Sequence, residues 1–193
     1  MKTKTELFIF AGTIVILALL RLPMESSDVF ILPFLVLVLI RLWYLIQKGE
    51  LLVQKEVFNF KNAKKAGLLY FFLTVIVILA LWFFRNKISL PIWLSDNDWV
   101  WFISFHVLFQ EIIFRTYLIN RLKVVFSSPL AISLLSGAIF GGMHFILPNA
   151  VLIATFTFFM GTLWSYLYYK YPNLIYVWLS HLAINLSINF FYL

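Results

Sequence analysis

The chain has 193 residues, of which 63% are hydrophobic and only 12% charged, with a formal net charge of +7 and no cysteine. So little charge does not solvate the surface of a soluble domain of this length, and the missing cysteines exclude disulfides, thiolate metal ligands and a cysteine nucleophile. Nucleic acid is not the partner implied by the positive balance, because the lysines sit in short loops between apolar runs rather than in basic clusters.

The first element follows Met-Lys-Thr-Lys as an apolar run from Leu7 to Leu20, in the manner of a signal peptide. No small-residue cleavage site follows in Arg21-Leu22-Pro23-Met24, so an uncleaved helix over 6–21 is expected, with cleavage near Ser26-Ser27 as the alternative. A second apolar segment, 29–46, contains Arg41, and a hydrophilic stretch from Gln47 to Lys65 separates this pair from the rest. Further spans are predicted at 67–84, 99–119, 130–147, 150–169 and 174–192, with an interfacial break over 86–98. The expected fold is all-α, a polytopic transmembrane bundle of about seven helices forming one membrane domain. Within it, residues 1–98 supply N-terminal helices and loops, and 99–193 form the core that carries the chemistry.

Basic residues set the orientation. With the N-terminus in the cytoplasm, Lys2, Lys4, Lys48, Lys55, Lys61, Lys64, Lys65, Arg121, Lys123 and Lys170 fall on that side, ten against three (Arg21, Arg85, Lys87) outside. The expectation is a multi-pass cell-membrane protein, N-terminus in and C-terminus out. Trp82, Trp93, Trp99 and Trp101 gather near the outer face, as an interfacial aromatic belt does.

Ionisable residues inside the spans are concentrated in the C-terminal half: His106, Glu111, Arg115, His144 and His181, with Gln110, Asn185 and Asn189 beside them. A charge at the middle of a spanning helix costs about 2.5–3.5 kcal/mol and persists only where it faces the protein interior and finds a partner. Glu111 and Arg115 are four apart and can pair on one helix face. His144, four after Phe140, and His181, four before Asn185, lie on two other helices. Gly137, Gly141 and Gly142 allow a neighbour to approach the His144 helix closely. A lone histidine on an apolar helix is ordinarily a packing residue, which is how His106 reads, and Asn189 reads as a helix–helix hydrogen bond.

Several known solutions for intramembrane hydrolysis are absent. No two histidines are four apart, all three aspartates (Asp28, Asp96, Asp98) lie in loops, and Ser136-Gly137 lacks the rhomboid-like turn. What remains is a carboxylate with two histidines on separate helices. Such a set binds a divalent metal such as zinc through Glu111, His144 and His181, or activates water directly as a general base.

These residues resemble a family. Gln110-Glu111-Ile112-Ile113-Phe114-Arg115 is similar to the E-E-x-x-x-R motif of the CPBP family, the type II CAAX prenyl proteases and the bacteriocin-processing or immunity (Abi) proteins. Phe140-Gly-Gly-Met-His144 matches its F-x-x-x-H motif and His181-Leu-Ala-Ile-Asn185 its H-x-x-x-N motif, so that the resemblance covers about 99–190. It implies an intramembrane endopeptidase acting on a peptide or lipidated protein within the lipid bilayer. In it Glu111 and His144 activate water, His181 and Asn185 stabilise the oxyanion, and Arg115 positions Glu111. Some family members are described as metalloproteases, which would put the metal on Glu111, His144 and His181. The departure is Gln110, which stands where the family has its first glutamate and cannot accept a proton, so that the catalytic set has Glu111 doing the work with Gln110 as a hydrogen-bonding helper. It motivates a second expectation, a non-catalytic immunity or membrane-partner protein. A third, a proton-relaying transporter, lacks a visible broken-helix repeat.

Depth leaves one mismatch. Glu111 lies roughly 12 Å from the cytoplasmic end of its predicted helix and His181 roughly 10 Å from the start of its own, whereas His144 lies nearer 20 Å. The three meet only with tilt, a later helix start or a long interfacial segment over 121–132.

Overall fold

In a computed structural model the described residues are 63–86, 99–146 and 150–192, with isolated positions at 5, 40, 43, 44, 47 and 48. Every regular element among them is helical. The first two predicted spans lie almost wholly outside the described residues. The remaining five are all present: α1 (Ala63–Phe84), α2 (Trp99–Glu111) continuing through a π-helix (Ile112–Leu118) into α3 (Ile119–Val125), α4 (Pro129–Met143), α5 (Ala150–Lys170) and α6 (Leu174–Tyr192). The segments Ala63–Phe84, Val151–Lys170 and Leu174–Phe191 are long and apolar enough to cross a membrane. The chain is thus a helical membrane bundle.

Helix α1 exposes Leu68, Phe71, Phe72, Ile76, Leu79 and Phe83 on its outer side. A soluble protein does not leave so long an apolar face to water, whereas lipid solvates it without cost. Its inner side packs on α6, where Ser180 Oγ accepts from Trp164 Nε1 (3.0 Å) and shares a 2.6 Å hydrogen bond with Thr74 Oγ1. Since the Thr74 hydroxyl donates to the Tyr70 carbonyl, Ser180 donates to Thr74, and both of these hydroxyls are satisfied.

The most extensive packing is between α4 and α5. It depends on glycine: a Cβ on Gly137 would stand 2.7 Å from the Phe158 carbonyl oxygen, and one on Gly141 2.7 Å from that of Ala154. The backbones approach too closely there for any side chain. Gly142, expected to help, instead faces open space. Ser128 caps α4 by accepting from the Ala131 N–H, with Pro129 at the first helical position.

Two departures from the expected helices dispose of the depth mismatch. The helical path from Trp99 runs to Val125 instead of ending at 119, so Arg121 and Lys123, counted above as loop residues, belong to α3, and Arg121 is buried. Glu111 then lies about 20 Å from the C-terminal end of this path, much as His144 lies about 20 Å from Pro129. His181 is still about two turns from the start of α6, and that start is enclosed within the protein. Asn173 and Leu174 are buried, and Asn173 Oδ1 accepts from the Tyr176 N–H as the helix cap.

Candidate active site

Glu111 ends α2 and is completely buried. An isolated carboxylate cannot persist there, and both of its oxygens are occupied. Oε2 accepts from Arg115 Nε at 2.8 Å, and Oε1 accepts from His181 Nδ1 at 2.7 Å. The first bond was expected from the spacing of four. It forms although the backbone between the two residues has passed into a π-helix, the wide turn that recurs at functional sites.

Arg115, also completely buried, finds further acceptors on α4 and α5. Its Nη1 donates to Ser165 Oγ at 2.6 Å, and to Ser136 Oγ and the Gly161 carbonyl at 3.3 and 3.4 Å. Ser165 in turn donates to Ser136 Oγ at 2.8 Å. Three helical segments are thereby tied to one guanidinium, whose fork of donors suits such a task. Tyr70 of α1 lies within electrostatic reach of both Arg115 and Glu111, so the buried network touches a helix outside the motif-bearing region.

His181 is held from two directions. Glu111 accepts from its Nδ1, which fixes the proton on that nitrogen and leaves the Nε2 lone pair open. The Trp164 ring lies against its imidazole, with centroids 4.5 Å apart and planes tilted by 33°. His144 occupies the 3₁₀ turn His144–Ile146 rather than the interior of a longer helix. Its Nδ1 donates to the Phe140 carbonyl at 2.7 Å, so this histidine too presents an unprotonated Nε2. Phe140 is the wedge between them, its ring centroid 4.9 Å from that of His144 and 5.7 Å from that of His181. The same ring meets Phe114 and lies under the Arg115 guanidinium.

Asn185 follows His181 by one turn on α6 and is half-buried. Asn189 is buried, but its Oδ1 makes no hydrogen bond among the described residues, so the expected interhelical bond is not made by that atom. Gln110 contacts His106, at 2.9 Å between the two Nε2 atoms. His106, set aside above as packing, therefore joins the polar cluster, and it lies within electrostatic reach of His181 and His144. Its spacing of four from Gln110 was the available signal. Trp164, Ser136 and Ser165 were missed because indoles and hydroxyls on apolar helices carry no distinctive pattern.

The expected His₂Glu ligand set is not assembled. No group of three or more His, Cys, Asp or Glu among the described residues lies close enough to hold a metal ion. The reason is local: both oxygens of Glu111 are taken by N–H donors from Arg115 and His181, so the carboxylate is not free to complete a His₂Glu set. As arranged, these residues do not form the expected three-ligand metal site.

The helical membrane scaffold thus carries a buried carboxylate–histidine pair, a second histidine beside it and a half-buried amide one turn further along α6. The family model described as type II CAAX prenyl endopeptidase, Rce1-like, matches residues 66–187. The chain belongs to this family of intramembrane CAAX-type proteases. The match begins within α1, earlier than the motifs alone suggested. Comparison with curated proteins and with solved structures gave no match.

Proposed function

We propose that this chain is an active intramembrane endopeptidase that hydrolyses a peptide bond in a peptide or lipidated protein substrate, with His181 as general base. The observation that carries the reading is the Glu111–His181 hydrogen bond at zero exposure of the carboxylate. Glu111 is too enclosed to meet water itself, so it acts through His181, setting its tautomer and stabilising the imidazolium as it forms. This exchanges the roles expected from the resemblance.

In the reaction the Nε2 of His181 takes one proton of the attacking water while its oxygen bonds to the scissile carbonyl carbon. His144, with no carboxylate behind it, stays neutral and holds the water through its open Nε2. The Asn185 amide N–H donates to the oxyanion. The proton on His181 then passes to the leaving nitrogen as the C–N bond breaks. Arg115 keeps Glu111 ionised and in place, and Phe140 and Trp164 set the planes of the two imidazoles. The excess of basic residues on alternate loops supports a cytoplasmic N-terminus and an outer C-terminus.

Gln110 supports the competing reading, a silenced family member serving as an immunity or membrane-partner protein. Cleavage of a prenylated peptide by the detergent-purified chain decides between them. The expected result is turnover that is abolished in His181→Ala and His144→Ala, with helicity retained, and that is unaffected by a chelator. A parent that cleaves no prenylated or plain peptide, or variants that cleave as the parent does, would overturn the assignment.

A further inference from the structure

Gln110 cannot accept a proton, yet its surroundings give it a definite orientation. The amide nitrogen is the donor of the 2.9 Å contact with His106 Nε2, so the imidazole accepts there and carries its own proton on Nδ1. In the structure the amide stands with its nitrogen toward His106. The carbonyl Oε1 is then left buried, with no hydrogen-bond partner among the described residues. A buried acceptor without a donor is costly unless a ligand or water supplies one. Gln110 is also next in sequence to Glu111, which holds the base His181. All three histidines of the chain lie within electrostatic reach of one another.

We propose that Gln110, held by His106, orients the nucleophilic water through its Oε1, and that the two residues together take the place of the family's first carboxylate. The inference rests on the endopeptidase reading above. Gln110 Oε1 and His144 Nε2 share one O–H of the water as paired acceptors without taking the proton, and the other proton goes to His181 Nε2. The water oxygen forms the new bond to carbon, and the carbonyl electron pair moves to its oxygen. On collapse the C–N bond breaks, the nitrogen receives the proton from His181, and the products are a carboxylic acid and an amine. Gln110 touches the reacting water, and His106 is a positioning residue that acts through it.

The chemistry of the two side chains supplies the test. An amide has one accepting end and one donating end, and needs a neighbour to select between them. A carboxylate has two accepting ends and needs no such neighbour. His106 therefore matters only while residue 110 is glutamine. Cleavage of a prenylated peptide is compared for the parent, His106→Ala, Gln110→Glu and the double variant, with helicity and thermal stability followed in each.

The expected result is that removing His106 lowers kcat about ten-fold in the parent, the worth of one oriented hydrogen bond, and less than about two-fold in the Gln110→Glu background. Equal losses in the two backgrounds would make His106 structural and overturn the proposal while leaving the endopeptidase reading intact, as would no loss in either. A silent parent beside an active Gln110→Glu variant would also overturn it, since Gln110 would then be what disables the site. Silence of both would remove the endopeptidase reading itself, and the proposal with it.

Discussion

The change Glu111→Gln isolates the carboxylate's effect on His181 with little change of shape. Arg115 Nε–H, 2.8 Å from Oε2, requires an acceptor, so the oxygen of the new amide faces Arg115. Its NH2 group is then directed at His181 Nδ1, where the carboxylate oxygen now lies at 2.7 Å. Two donors cannot face one another, so His181 turns to the other tautomer, with its proton on Nε2 and no base toward the substrate. The same carboxylate-to-amide change in a Ser-His-Asp triad lowers kcat about 10⁴-fold through the wrong tautomer, and a loss of that order is expected here. Stability falls as well, because a buried guanidinium loses its counter-charge. Breaking a buried pair costs about 3–5 kcal/mol, and the amide oxygen together with Ser136, Ser165 and the Gly161 carbonyl keeps the cost near the lower end. Turnover of a prenylated peptide and thermal unfolding in detergent measure the two effects separately. A variant that is folded and cleaves within ten-fold of the parent would refute the claim that Glu111 acts through His181.

Gly137→Ala presses its methyl group on the Phe158 carbonyl and the Thr162 N–H of α5, backbone atoms that cannot step aside. It is expected to destabilise the bundle by about 1–3 kcal/mol. Gly142→Ala, with nothing within 4 Å of the added carbon, should stay within about 0.5 kcal/mol of the parent, and melting in detergent compares them. A phosphatase reporter fused to the C-terminus is expected to be active only outside the cytoplasm. An expressed fusion without phosphatase activity would reverse the orientation drawn from the basic residues.

The helices of the C-terminal half were legible because lipid imposes its own length and polarity on each span, leaving little for tertiary context to override. The predicted segment 174–192 and α6 coincide for that reason. The Glu111–Arg115 pair was legible because it is local. Its partnership with His181, seventy positions away, was not, since hydropathy places a residue in a helix without saying which way α2 and α6 face one another. The π-turn was hidden for a related reason: Ile112–Leu118 contains neither proline nor glycine, so no residue in it marks a break.

That hidden turn bears on why a glutamine is compatible with the site. Residues 110 and 111 are the last two before the π-helix begins, and they point to different partners. Glu111 turns inward to a buried cation and a histidine, where a neutral side chain would strand Arg115. Gln110 turns to His106 on the more open side of α2, where no cation depends on it. Loss of charge is therefore tolerable at 110 and damaging at 111. The two motif positions, adjacent in sequence and equivalent by pattern, hold separate partners: Glu111 holds Arg115 and His181, and Gln110 holds His106.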